Sequence, residues 1–122
     1  MNIIIKYLII LTLVLLLDFC YLSLVKNTML KVIKNIQKSP LKINWIYLIL
    51  CYLILSFTIY YFVIKERKSI LYSFILGVCI YGIYETSNMA IFTKWNKNVV
   101  ILDTIWGGIL FSLVNYIYNY II

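Results

Sequence analysis

Four long apolar stretches dominate this sequence, at residues 3–25, 45–64, 70–92 and 99–120. A helix needs about 20 apolar residues to cross the ~30 Å hydrocarbon layer of a membrane. Inside that layer every backbone N–H and C=O group must be paired within a helix or a closed barrel, and four segments cannot close a barrel. The sequence therefore predicts four membrane-spanning helices and excludes a spanning sheet.

The composition favours a membrane protein over a soluble one. Apolar residues make up 65% of the 122 residues, whereas about 45–50% is usual for a soluble domain. A soluble protein of this size would expose apolar patches large enough to aggregate. We therefore predict one all-α domain, residues 1–122, that forms an integral, multi-pass four-helix bundle in a membrane. The first stretch is too long for a signal peptide and lacks a small-x-small cleavage site.

The link between the first two stretches is expected to form a helix of its own. Residues 26–44 carry five lysines. Met29, Leu30, Ile33 and Ile36 fall on one side of a helix that Pro40 would end. Separate basic and apolar faces are typical of a helix that lies in the membrane interface. A solvated loop is the alternative.

Basic residues predict the orientation of the chain. The first and third links hold seven lysines, while the amino end and the second link hold four basic residues, Lys6, Lys65, Arg67 and Lys68. Because basic links favour the inner side of a membrane, both termini are predicted to lie outside. Trp45 and Trp95 stand at span ends and are expected to be interfacial anchors.

Three of the four acidic residues lie inside predicted spans, namely Asp18, Glu85 and Asp103. An ionised aspartate at the centre of a span costs about 2.5–3.5 kcal/mol on insertion scales, so such residues usually mark a function. Counting 1.5 Å per residue from the span ends places all three about 7–12 Å below the same face. A bundle that turns them inward would bring them together beneath the first and third links.

Neighbouring residues extend this predicted polar layer. Asn88 follows Glu85 on one face of the third span, and Trp106 follows Asp103 on the fourth. Asp18, Glu85, Asn88, Asp103 and Trp106 are therefore the hypothetical binding residues. Because no basic residue lies deep in a span, the three carboxyl groups should share protons or bind a cation.

Small residues predict close helix packing around this layer. Gly82, Thr86 and Ala90 repeat every four residues on the third span, and Gly107 and Gly108 adjoin on the fourth. This small-xxx-small pattern lets membrane helices approach closely. We expect it to bring Glu85 towards Asp103.

No motif in the chain predicts catalysis, a metal site or a cofactor. Histidine is absent, and Cys20, Cys51 and Cys79 lack paired spacing, so they are expected to be small core residues. There is no nucleophile elbow or phosphate loop. The expected partners are the lipid bilayer and, at the basic links, anionic lipid headgroups. Nucleic acid is not expected, and homo-oligomerisation stays open.

Several segments resemble a known family. They are 84–88 (Tyr-Glu-Thr-Ser-Asn), Trp95, 103–107 (Asp-Thr-Ile-Trp-Gly) and Leu17-Asp18 in the first span. Together they resemble the small bacterial and viral membrane proteins of domain-of-unknown-function family 2177, over essentially the whole chain. Glu85 stands where the family motif has aspartate, and Ser87 where it has threonine. The resemblance implies a four-span membrane protein and supports the polar layer.

Three functions stay open at this point. The acids could bind or conduct a cation, a proton or a small solute. Alternatively, the acids, Asn88 and Thr104 could join the helices by hydrogen bonds in a structural or assembly protein. A membrane enzyme that acts on a lipid or isoprenoid is the third, with one protonated and one ionised carboxyl group as acid and base.

Overall fold

The computed structural model describes residues 2–38 and 42–122. Its helices are α1 (Ile3–Gln37), α2 (Trp45–Ile59), α3 (Ile70–Ile91) and α4 (Lys97–Tyr120), and a π-helical turn (Tyr60–Ile64) continues α2. All four segments are long and apolar enough to cross a membrane. The predicted all-α bundle is confirmed. The helix ends also lie close to the predicted span limits, except at the end of α1.

Polar side chains fix where the helices begin. The Ser69 hydroxyl accepts a hydrogen bond from the backbone N–H of Tyr72 at 3.1 Å. Asn2 and Asn44 cap α1 and α2 in the same way, and Asn96 caps α4. Because the first N–H groups of a helix have no partner within it, such caps allow short links to start helices abruptly.

The first helix is longer than predicted. Residues 26–37 are helical, as expected, but they continue the first span instead of forming a separate interfacial helix. Neither glycine nor proline occurs between residues 3 and 37, so nothing interrupts the helix. Its length is about 50 Å, roughly 20 Å more than the hydrocarbon layer requires. Pro40, expected to end this helix, lies outside the described residues, and α1 ends at Gln37.

The apolar face of this extension packs against protein. Val32 is buried against Trp95 and Val99, with Met29 and Ile36 alongside. The interfacial anchoring predicted for Trp95 is therefore wrong, because its ring lies between the α1 extension and the start of α4. Trp45, in contrast, is 64% exposed.

Helices α3 and α4 approach most closely at glycines. A Cβ atom on Gly77 would collide with the backbone of Gly107 and Gly108, so only glycine fits there. The predicted contact through Gly107 and Gly108 is confirmed. The small-xxx-small pattern of α3 (Gly82, Thr86 and Ala90) was expected to make this close contact, but it does not. Thr86 is exposed, and a Cβ atom on Gly82 would make only an ordinary 3.5 Å contact.

The apolar core joins α1, the end of the second span and α4. Its fully buried members are Ile10, Val14, Ile59, Val63, Leu110, Phe111 and Val114. Helix α3 contributes small or polar buried residues instead. The three cysteines were expected in the core, but all are exposed on the outer surface of the bundle. A thiol is apolar enough to face lipid, so the hydrophobic pattern did not distinguish the two positions.

Candidate functional site

The three acids inside the spans all turn towards the interior of the bundle. Glu85 is 1% exposed and Asp18 is 9% exposed. Asp103 is half-buried. They come from α3, α1 and α4 respectively. Because a buried polar group is costly without a hydrogen-bond partner, the partners of each carboxyl group identify what the cluster is built to do.

Asp18 joins three helices through its two oxygens. The indole Nε1 of Trp106 donates to Oδ1 at 3.0 Å. The hydroxyl of Tyr52 donates to Oδ2. Trp106 belongs to α4 and Tyr52 to α2, so this carboxyl group connects α1 to both.

Asp103 is bound from α1. The hydroxyl of Tyr21 donates to its Oδ1. The Tyr21 ring also stacks on Trp106, with the ring centroids 4.6 Å apart and the planes 3° from parallel. Trp106 donates to Asp18 and Tyr21 donates to Asp103, so the stacked rings link the hydrogen bonds of the two aspartates.

Glu85 is bound from the link that follows its own helix. The indole Nε1 of Trp95 donates to Oε2 at 2.8 Å. Trp95 packs against Val32 of α1 and Val99 of α4, so this bond places Glu85 next to the contact between those two helices.

These contacts define a cluster of acidic and aromatic residues, which we call the carboxyl–aromatic network. Its members are Asp18, Tyr21, Tyr52, Glu85, Trp95, Asp103 and Trp106. It contains residues from all four helices and from the link between α3 and α4. Within residues 2–38 and 42–122, no three acidic or cysteine side chains are grouped as a metal ion would need. Each carboxyl group instead has its own aromatic donor or donors.

Two polar residues expected in the layer lie outside the network. Asn88 is half-buried, and its backbone carbonyl accepts a hydrogen bond from Phe92 at 2.8 Å. Its side chain makes none of the hydrogen bonds that join the acids. Thr104 was expected to bond across helices, but its Oγ1 is buried without a partner among the described residues. Its position on α4 turns it towards Gly82, which offers no side-chain acceptor.

Sequence reasoning missed Tyr21 and Tyr52. Tyr21 follows Asp18 by three residues, which places both on one face of α1, so helical spacing could have identified it. Nothing marked Tyr52, because the chain contains 12 tyrosines and many were expected at the membrane interface.

Comparison with known proteins gives one match. No curated protein and no solved structure matches the chain. The family model described as "Predicted membrane protein (DUF2177)" matches residues 3–119. That range includes every member of the carboxyl–aromatic network and agrees with the resemblance seen in the sequence. The chain therefore belongs to the DUF2177 family of predicted membrane proteins.

Proposed function

We propose that this chain is a structural membrane protein in which the carboxyl–aromatic network holds four spans together on one side of the bilayer. One observation carries the proposal. Asp18 and Asp103 accept hydrogen bonds from tyrosine or tryptophan side chains of other helices, and Glu85 accepts one from the link that follows α3. Asp18 and Asp103 therefore connect helices.

The energetics of a membrane interior support this role. Lipid is as apolar as leucine, so apolar burial does not drive helices together, and packing and interhelical hydrogen bonds must do so. Each such bond contributes about 0.6–2 kcal/mol. A carboxylate acceptor makes the bond stronger than a neutral acceptor would. Tyrosine and tryptophan suit this site because each carries one donor on a large apolar ring.

The shape of the cluster supports connection over cation binding. Hard cations prefer several oxygen ligands that converge on one point. Here both oxygens of Asp18 face aromatic donors. Glu85 and Asp103 likewise face Trp95 and Tyr21. Donor hydrogens directed at these oxygens would repel a cation placed among them.

The test compares amide and alanine variants of the same acid. Asp18→Asn keeps an oxygen acceptor, whereas Asp18→Ala leaves the Trp106 and Tyr52 donors without a partner. A buried group left unpaired costs about 1–3 kcal/mol. We expect Asp18→Ala to unfold at a clearly lower temperature in detergent, and Asp18→Asn to stay near the parent protein. Glu66→Gln, in the exposed link, is the matched control.

Equal stability of the alanine and amide variants would contradict the structural proposal. A second outcome would also count against it. If both variants folded like the parent protein and both abolished a membrane activity, the charge of Asp18 would be what matters, and its hydrogen bonds between helices would not.

One observation favours a second candidate, a proton-binding site. The carboxyl group of Glu85 is 1% exposed, and carboxyl groups in a membrane interior commonly mark proton relays. The expected result is an infrared band of a protonated carboxyl group in the parent protein that is lost in Glu85→Gln. Identical spectra for the two proteins would refute this candidate.

A further inference from the structure

A second polar region lies at the opposite end of the bundle, and the carboxyl–aromatic network does not use it. A cavity of about 560 Å³ opens where the start of α1, the link between α2 and α3, and the end of α4 meet. We call it the termini-side cavity. Its wall carries Lys6, Lys65, Arg67 and Lys68, together with Tyr60 and Tyr118.

The charge of this cavity is one-sided. Lys6 comes from α1 and the other three basic residues come from the link between α2 and α3; among the described residues, the lining contains no aspartate or glutamate. Converging cations that no carboxylate neutralises repel one another, so an anion between them would be bound favourably. The volume lies within the ~300–1,000 Å³ typical of ligand pockets.

The backbone of the link places the cations around the cavity. The π-helical turn ends with Lys65 N–H bonded to the carbonyl of Tyr60 at 2.8 Å. Arg67 then adopts a left-handed conformation with φ of 51°, which is uncommon for a residue other than glycine. Its N–H donates to the carbonyl of Ile64 at 3.1 Å. π-Helical turns and left-handed residues other than glycine are each frequent at functional sites.

Aromatic rings hold two of the lysines in place. The Lys65 ammonium lies 4.4 Å from the centroid of the Tyr61 ring. The Lys68 ammonium lies 4.8 Å from the centroid of the Tyr72 ring. Cation–π contacts of this kind orient a side chain without cancelling its charge, so both ammonium groups keep donors for a ligand.

The position of the cavity indicates where its ligand comes from. Lys6 stands in the first turns of α1, and the other three cations stand between two membrane spans. Spans end at the level of the lipid headgroups, where tyrosine rings also concentrate. A phosphate group bound here would therefore lie at the depth of a phospholipid phosphate. Arginine supplies a planar fork of donors that matches two phosphate oxygens, and lysines add point charges.

We propose that the termini-side cavity binds the phosphate group of an anionic lipid headgroup. Seven lysines lie in the first and third links, which are the more basic side of the chain. Those of the first link that lie in α1 are exposed along the helix, whereas the four basic residues at this end line one cavity. Phosphatidylglycerol serves as the probe, and phosphatidylcholine is its zwitterionic counterpart.

The experiment measures lipid bound to the purified full chain in detergent by native mass spectrometry. We expect phosphatidylglycerol to be retained in preference to phosphatidylcholine. Each removed charge should weaken binding about fivefold, which corresponds to about 1 kcal/mol per basic residue near the headgroups. Arg67→Gln with Lys68→Gln should thus lose about 25-fold. Lys26→Gln with Lys31→Gln removes two exposed charges at the other end and is the matched control.

Three results would overturn the proposal. Equal retention of the two lipids would remove the anion preference. Equal losses of phosphatidylglycerol binding in the test and control pairs would show that the lipid responds to the net charge of the protein and not to a specific site. Complete displacement of phosphatidylglycerol by millimolar inorganic phosphate would assign the cavity to a soluble phosphate compound. Lys6 lies outside the link, so Lys6→Gln is a second test variant if the Arg67 and Lys68 pair fails to fold. It should also weaken the binding of phosphatidylglycerol.

Discussion

The contact between α3 and α4 gives a sharp prediction because two glycines of the same helix should respond in opposite ways. A Cβ atom on Gly77 would clash with the carbonyl oxygen of Gly107. It would also lie 2.6 Å from the carbonyl carbon of Gly107 and 3.0 Å from Cα of Gly108. Ordinary contacts begin at 3.4 Å. All of these neighbours are backbone atoms, so none can rotate away and the helices must move apart.

Two effects of Gly77→Ala oppose each other, and their magnitudes decide the result. Overpacking costs about 1–3 kcal/mol, while replacing glycine by alanine within a helix gains up to about 1 kcal/mol. We expect a net loss of about 1–2 kcal/mol in the free energy of unfolding. In Gly82→Ala the new methyl group meets only Cγ2 of Thr104, at 3.5 Å. That variant should be unchanged or gain up to about 1 kcal/mol.

A reversible unfolding titration in mixed micelles, followed by far-ultraviolet circular dichroism, measures both variants against the parent protein. The expected difference between the two variants is about 1–3 kcal/mol. Gly82→Ala also controls for the change in helix propensity, since both sites lie in α3. If the two substitutions shifted stability equally, Gly77 would not be the point of closest approach between α3 and α4.

Three further predictions concern hydrogen bonds and the outer surface. Trp95→Phe should lose about 1–3 kcal/mol in detergent unfolding because Glu85 loses its donor, whereas Tyr84→Phe, on the exposed face, should not. Asn115→Ala should lose a similar amount, since its side chain donates to Ser73 at 2.7 Å and to the Lys68 carbonyl at 3.0 Å; an unchanged melting temperature would contradict this. Alanine at each of the three cysteines should change stability by no more than about 0.5 kcal/mol, and larger losses would place them in packed contacts.

The membrane fold could be predicted from the sequence because it depends on the average hydrophobicity of long segments. Span number and limits follow from the length of apolar runs, which single residues hardly alter. The inward position of Asp18, Glu85 and Asp103 could also be predicted, since a polar side chain facing lipid is costly and helical rise fixes its depth. Both properties depend on composition and spacing alone.

The partners of the acids depend on helix rotation, which the sequence does not fix. The third span is apolar on most of its surface, so hydrophobic pattern does not distinguish the face with Gly77 from the face with Gly82. Pairing Gly77 with Gly107 turns Gly82 and Thr86 away from the closest contact. The same ambiguity explains why Trp95 was expected at the interface, since only the tertiary structure brings its N–H to Glu85.

The separation of the two polar regions bears on whether this fold could conduct across the bilayer. The carboxyl–aromatic network lies towards the first and third links, and the termini-side cavity lies at the other end. Between them the core consists of apolar side chains such as Ile10, Val14 and Phe111, each fully buried. The contact of Gly77 with Gly107 occupies the seam between α3 and α4. A proton or ion leaving the network would have to cross this mainly apolar layer, in which Ser56 is a buried polar exception. Conduction would therefore require the layer to open, whereas a structural role for the network and lipid binding at the cavity require no movement.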